Sequence, residues 1–243
     1  MMDQQLGCMD TVEGWLSNNE GQLLYSLAKS CTGKGVVVEI GSWKGKSTIC
    51  LAKGSNRGNN VKVYAIDPHY GSPEHKNKLG KVSTFEEFER NVSNAKISDL
   101  VIPVLKTSEE AAKNFDKPVE ILFIDGNHDY EFVKLDFNLW FPKVMEGGII
   151  AFHDATNDEW PGPKEVVMRY ILKSEYFSKV NWVDTTIYGK KIRKNSFKDR
   201  LRNRYILFLM RSSLLSKFDK VKGKFGIFLK RNFPRLHIKL KHK

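Results

Sequence analysis

Four acids and two histidines in this 243-residue chain stand where apolar runs end, a placement that packing alone does not call for. Glu39 sits in "GVVVEIGSWKGKST", Asp67 closes "VKVYAID", and Asp125 closes "VEILFID" with His128 three residues on. "GGIIAFHD" ends on His153 and Asp154. Carboxylates grouped with an imidazole can hold a divalent cation. The same imidazole can accept a proton near neutral pH. The glycines of "EIGSWKGKST" supply a second kind of chemistry. A phosphate-gripping loop needs four residues between its first Gly and Gly-Lys-Ser, and "GSWKGKS" leaves three, with bulky Trp43 where backbone must approach an anion. A dinucleotide fingerprint fails too, because Gly41 and Gly45 are four apart. What remains is E-x-G-x-x-x-G, whose carboxylate repels a triphosphate and suits a ligand carrying an amine and a sulfonium.

Apolar runs alternating with helical stretches must position these residues. Strands are expected at 35–41, 61–67, 100–106, 119–125 and 147–154. Helices are expected from 46, over 85–97, over "SEEAAKNF" with Ser108 as its cap, over 130–144 and over 163–175. In the 130–144 helix Phe132, Leu135, Leu139 and Val144 read as one loose face. A leading helix in "SNNEGQLLYSLAKSC" is expected to cover the sheet, and "EGWLSNNEGQLLY" to close over a bound ligand. "TTIYGKKI" (185–192) reads as a last antiparallel strand pair. Continuous apolar strands alternating with helices argue a parallel sheet with helices on both faces. Such sheets bind ligands beyond the carboxyl ends of their strands, where the acids fall.

At this point "EIGSWKGKST" resembles motif I of the class I S-adenosylmethionine-dependent methyltransferases, in the variant of catechol-type and sugar or antibiotic O-methyltransferases. The resemblance implies donor contacts from Glu39, Gly41, Ser42, Gly45 and Ser47. Asp67 matches the acid that holds the ribose hydroxyls. Thr107 and Ser108 fall where such proteins contact adenine, and Asp125 borders the same donor. "FIDGNHDYEFVKLD" and "GGIIAFHD" resemble a metal-assisted O-methyltransferase family that includes cephalosporin and macrolide-sugar enzymes. Carried over residue by residue, the metal ligands are Asp125, His153 and Asp154, with His153 standing where some relatives have an acid. Mg²⁺ prefers oxygen donors, and a histidine tilts a site toward Mn²⁺, Fe²⁺ or Zn²⁺; Mg²⁺ or Mn²⁺ is the expectation. His128 stands where catechol-type relatives place a lysine base. The plainer alternatives are a loop acid before Pro68 for Asp67 and a satisfied polar residue in a glycine loop for His128.

The resemblance implies O-methyl transfer to a hydroxyl, with a small-molecule or glycan acceptor. His69, Tyr70 and Trp160 offer stacking faces, and the long loop 68–80 suits an acceptor lid. Nucleic-acid methylation is the alternative, against which "DGNH" stands where an N-P-P-Y-like motif would follow strand four. A further alternative is a non-catalytic donor-binding scaffold at a membrane.

Charge divides the chain. Residues 193–243 carry 17 Lys and Arg against Asp199 and Asp219, whereas residues 1–192 carry 23 bases and 26 acids. The expected architecture is therefore α/β: a doubly wound, mostly parallel Rossmann-like domain over 1–192, including a helical cap over 1–34, and a basic amphipathic helical extension over 193–243. Leu214, Phe218, Val221, Phe225 and Phe228 form a helical stripe among lysines, which suits an anionic membrane surface. A nucleic-acid arm and packing on the body or a second subunit are the competing readings. Cys8, Cys31 and Cys50 lack metal-ligand spacing, no secretory signal is visible, and the six-residue "YILFLM" is too short to span a bilayer. A cytoplasmic protein, peripheral at a membrane or not, is expected.

Overall fold

The computed structural model describes residue 9 and residues 11–71 and 83–212. The loop proposed over 68–80 lies largely outside these residues, and Cys8 and the stripe over 214–228 lie wholly outside them. Seven strands form one sheet in the order β3-β2-β1-β4-β5-β7-β6. They are β1 (Val36–Ile40), β2 (Val63–Ile66), β3 (Val101–Val104), β4 (Val119–Ile124), β5 (Val144–Phe152), β6 (Phe177–Val183) and β7 (Thr186–Lys191). The first five run parallel, and β7 lies antiparallel between β5 and β6. Register pairs Ile40 with Ile66 on one side and with Ile124 on the other, so the chain leaves these three strands at the same edge. Strand order reverses between β1 and β4, the place where such sheets open a ligand crevice.

Helices α1 (Asn18–Lys29), α2 (Lys46–Asn56) and α3 (Phe85–Asn94) belong to one face; α4 (Ser108–Lys113), α5 (Tyr130–Trp140), α6 (Pro161–Val166) and α7 (Phe197–Arg211) complete the set. The alternation of a strand's side chains divides the core accordingly. Val38, Ile40, Leu122 and Ile124 pack with Phe137, Trp140 and Phe177. Val37, Ile121 and Phe123 pack with Leu24, Ile49 and Phe88.

Several local expectations change. The residues of α5 that turn inward are Val133, Asp136, Phe137 and Trp140, while Phe132 and Leu135 are exposed; spacing of 3 and 4 was satisfied by either stripe, and only the sheet chooses. The cap of α4 is Thr107, in a reciprocal capping box with Glu110. The helix expected over 163–175 is the single turn-and-a-half of α6 followed by a π turn at Val167–Ile171. β6 was not legible, because "FSKVNWV" is neither continuously apolar nor cleanly alternating. The change of composition at 193 is not a packing boundary: Asn203, Ile206, Leu209 and Met210 of α7 are buried, and the last three join the core that holds Phe177 and Val180.

Candidate functional site

The turn after β1 is shaped by backbone demands. Gly41 has φ 84°, and a Cβ there would lie 2.2 Å from the carbonyl oxygen of Asp125, so glycine is required where β1 and β4 leave the sheet side by side. Trp43 also takes a left-handed conformation, φ 46°. Asp67, at the end of β2, accepts from the amides of Ser42 (3.0 Å), Trp43 (2.8 Å) and His69 (2.7 Å). It thereby moulds the loop that the sequence assigned to the donor. Glu39 is fully buried and accepts from Thr48. Burial lifts its pKa to about 8 against hydrogen bonds from Ser47 and Thr48, and the nearby Asp125 and Asp67 push the same way as burial.

Across the crevice, β4 and β5 deliver the acid cluster. His153 is buried, its Nδ1 3.1 Å from Asp125 Oδ1 and 3.0 Å from Asp154 Oδ2, its Nε2 3.4 Å from Glu20 Oε2. Burial disfavours a charge there, but Asp125, Asp154 and Glu20 outweigh it and hold the imidazole well above its ordinary pKa. Burial likewise opposes ionisation of Asp154, yet hydrogen bonds from His128, His153 and Asn157 hold its carboxyl well below the usual range. Asp154 itself has φ 53°, a strained conformation for a non-glycine residue that aims its carboxylate into the cluster. His128 Nε2 lies 3.4 Å from Asp154 Oδ2, and its ring stacks on Trp160 at 4.5 Å. Gly162 lets α6 approach that loop, since a Cβ there would meet the His128 carbonyl at 2.0 Å.

An unforeseen partner from the leading segment closes the arrangement. Ser17 caps α1 in a capping box with Glu20. Glu20 also accepts from the Thr185 amide (3.0 Å), the Thr185 hydroxyl (2.7 Å) and the Thr186 hydroxyl (3.0 Å). Asp184 accepts from Ser17 Oγ at 2.5 Å and from Asn19. On the other side, Lys44 reaches Glu13 and Glu87, Lys46 donates to the Gly14 carbonyl, and Trp15 leans on Trp43 at 5.8 Å. The segment expected to close over the ligand thus bridges the glycine loop and the β6–β7 turn.

Between these walls lies a cavity of about 710 Å³, within the range of small-molecule and cofactor sites. Of the expected site residues, Gly41, Ser42, Ser47, Asp125, His128, His153 and Asp154 line it; Glu39, Gly45, Asp67, Thr107 and Ser108 do not. The Thr107 hydroxyl is spent on its capping box, and Ser108 Oγ accepts from Trp140 Nε1 at 2.8 Å. Trp160 lines the cavity, but His69 is buried between Phe85 and Phe88 and hydrogen-bonds Thr84, so it packs rather than stacks on a ligand.

Residues 38–155 match the model of a methyltransferase-domain family. The chain is 30% identical over 126 residues to an uncharacterized protein of the Acanthamoeba polyphaga mimivirus, covering 51% of this chain and 52% of that one. It spans about half, or less, of the length of the curated relatives it matches. Among solved structures it is similar to the O-methyltransferase NovP (TM-score 0.63, 20% identity, 72% of this chain and 80% of that one). It is also similar to an O-methyltransferase from Bacillus cereus in complex with SAH (TM-score 0.56, 17% identity, 78% and 91%). The fold is the one these two solved O-methyltransferase structures share.

Two buried atoms near the Gly41 turn, Glu39 Oε1 and Ser42 Oγ, have no hydrogen-bond partner, and of these residues Ser42 lines the cavity. The ligand set for a cation differs from the sequence expectation. In this arrangement both ring nitrogens of His153 face carboxylates, Asp125 and Asp154 on one side and Glu20 on the other. Among the described residues, the group whose ligand atoms lie within 4.8 Å of one another is Asp125, His128 and Asp154, two hard oxygens and one nitrogen of a kind that suits Mg²⁺ or Mn²⁺. Glu20 was missed, although Ser17-x-x-Glu20 is a readable capping box; its reach to His153 is not written in any local pattern.

Proposed function

We propose that this protein transfers the methyl group of S-adenosylmethionine to a hydroxyl of a sugar or similar small polyol, assisted by a divalent cation. One observation carries the reading: a single cavity joins the turn at Gly41–Ser42 to Asp125, His128 and Asp154. The bound donor supplies an electrophilic methyl on a sulfonium. The Ser42 hydroxyl, which lines the cavity without a hydrogen-bond partner, receives one of its polar groups, and Asp67 holds the loop that presents it. Asp125 and Asp154 would hold the cation, whose charge lowers the pKa of a neighbouring hydroxyl. His128, steadied by Asp154 and the Trp160 ring, takes the hydroxyl proton as the oxygen–carbon bond forms and the carbon–sulfur bond breaks. Trp15 and Trp160 offer faces to the acceptor ring. The buried thiols of Cys31 and Cys50 suit a reducing, cytoplasmic setting.

The test is calorimetric binding of S-adenosylhomocysteine together with turnover on a panel of glycan and polyol acceptors. Binding is expected with or without chelator, and Asp67→Ala is expected to weaken it about tenfold or more by releasing the loop amides. Chelation is expected to abolish turnover. His128→Ala should retain product binding and lose about 10²-fold or more in turnover. If His128 serves as a ligand instead, the variant loses Mn²⁺ affinity as well. Full turnover in chelator would remove the roles given to Asp125 and Asp154.

A further inference from the structure

Helix α7 buries one side against β6 and leaves an unusual opposite side. Phe197, Leu201, Tyr205 and Phe208 are 68%, 51%, 56% and 62% exposed. Their offsets of 4, 4 and 3 gather them within about 80° of arc on a 3.6-residue helix. Exposed bases flank this stripe: Arg200, Arg204 and Arg211 on one side, Lys198 on the other. The helix carries five Lys and Arg against one acid, Asp199, and that acid is engaged with Ser196 in the N-terminal capping box.

We propose that this face of α7 lies on an anionic lipid surface. The pattern is that of a helix in the plane of a bilayer interface, aromatic and aliphatic side chains entering the acyl boundary while flanking bases meet anionic headgroups. Residues 213–243 continue directly from the end of this helix and contribute ten further bases against Asp219 alone, so charge of the same sign extends beyond the patch. A second copy of the chain is a poor occupant: a two-fold contact across this face would set the bases flanking one helix's stripe against those flanking the other's. Nucleic acid would use the bases but leaves Leu201 without a role. The surface is separate from the crevice and does not depend on the reaction proposed above.

The experiment is co-sedimentation of the full chain with phosphatidylcholine vesicles, with and without phosphatidylglycerol. The double variants Leu201→Ser/Phe208→Ser and Arg204→Glu/Arg211→Glu run beside it, with circular dichroism and melting confirming that each folds. The wild type should pellet only with phosphatidylglycerol, and each double variant should bind those vesicles about tenfold or more weaker. Equal binding by wild type and variants, or none by wild type, would overturn the proposal. So would a wild-type dimer that Leu201→Ser/Phe208→Ser converts to monomer, or a single-stranded RNA that binds with the same variant dependence and strips the protein from vesicles.

Discussion

Glu39 shows how far burial alone can set the chemistry of one side chain. Its pKa near 8, against an ordinary 4.5, means folding favours the protonated carboxyl. The associated stability is fully present below about pH 4.5 and is lost as pH rises toward 8. Ligand-free protein is therefore expected to melt lower as pH rises through this window, and Glu39→Gln to give a flatter profile. Gly41 makes a steric claim at the same scale. Gly41→Ala places a methyl 2.2 Å from the Asp125 carbonyl at a left-handed φ. Denaturant unfolding should record a loss of about 3 kcal/mol or more.

Among the elements, α1 has the most to say about function. Its first turn brings Glu20 to His153, Thr185 and Thr186, so a helix outside the parallel sheet completes the electrostatics of the acid cluster. Burial raises the Glu20 carboxyl, but His153, the Ser17 amide and Thr185 bring it down to about 2. Its stabilising contribution is present above the unfolded value of 4.5 and is lost as pH falls toward 2. The His153 contribution has the opposite sign, full below 6.5 and lost only as pH rises through its elevated value. Both contributions are therefore fully present between about pH 4.5 and about pH 6.5. Glu20→Gln leaves the buried imidazolium under-compensated and is expected to cost about 3–5 kcal/mol at neutral pH by denaturant melting. Limited proteolysis near 11–17 should accelerate in step, because the same residue ties the leading segment to the β6–β7 turn.

For the whole molecule, the proposed donor binding is linked to stability. The cavity is assembled from the leading segment, β1, β4, β5 and the β6–β7 turn, and none of these exists as a site in the unfolded chain. S-adenosylhomocysteine at about 100 times its Kd should stabilise the fold by about 2.7 kcal/mol, a rise in Tm of roughly 5–10 °C for a domain of this size. Chelator should leave that rise unchanged if the cation serves the acceptor rather than the donor. Charge is also organised at this scale: the near-neutral body carries the crevice, and the basic C-terminal stretch begins on a helix that the body itself buries.

The sequence by itself determined the parallel strands, the spacing of the glycine turn and the row of acids at one sheet edge. These are local matters: apolar runs, turn chemistry and the places where a strand must stop. The same locality explains the resemblance of "EIGSWKGKST" to a methyl-donor loop. Only the tertiary structure decided which stripe of α5 faces inward, that β6 and β7 extend the sheet, and that Asp67 spends its carboxylate on the amides of Ser42 and Trp43. It also decided the state of His153. Adjacent to Asp154 in sequence, the imidazole reads as a metal ligand. In space it faces Asp125 and a glutamate 133 positions earlier, and three carboxylates around one buried ring raise its pKa above the ordinary value. Charge depends on distance through space, and no spacing along the chain encodes that.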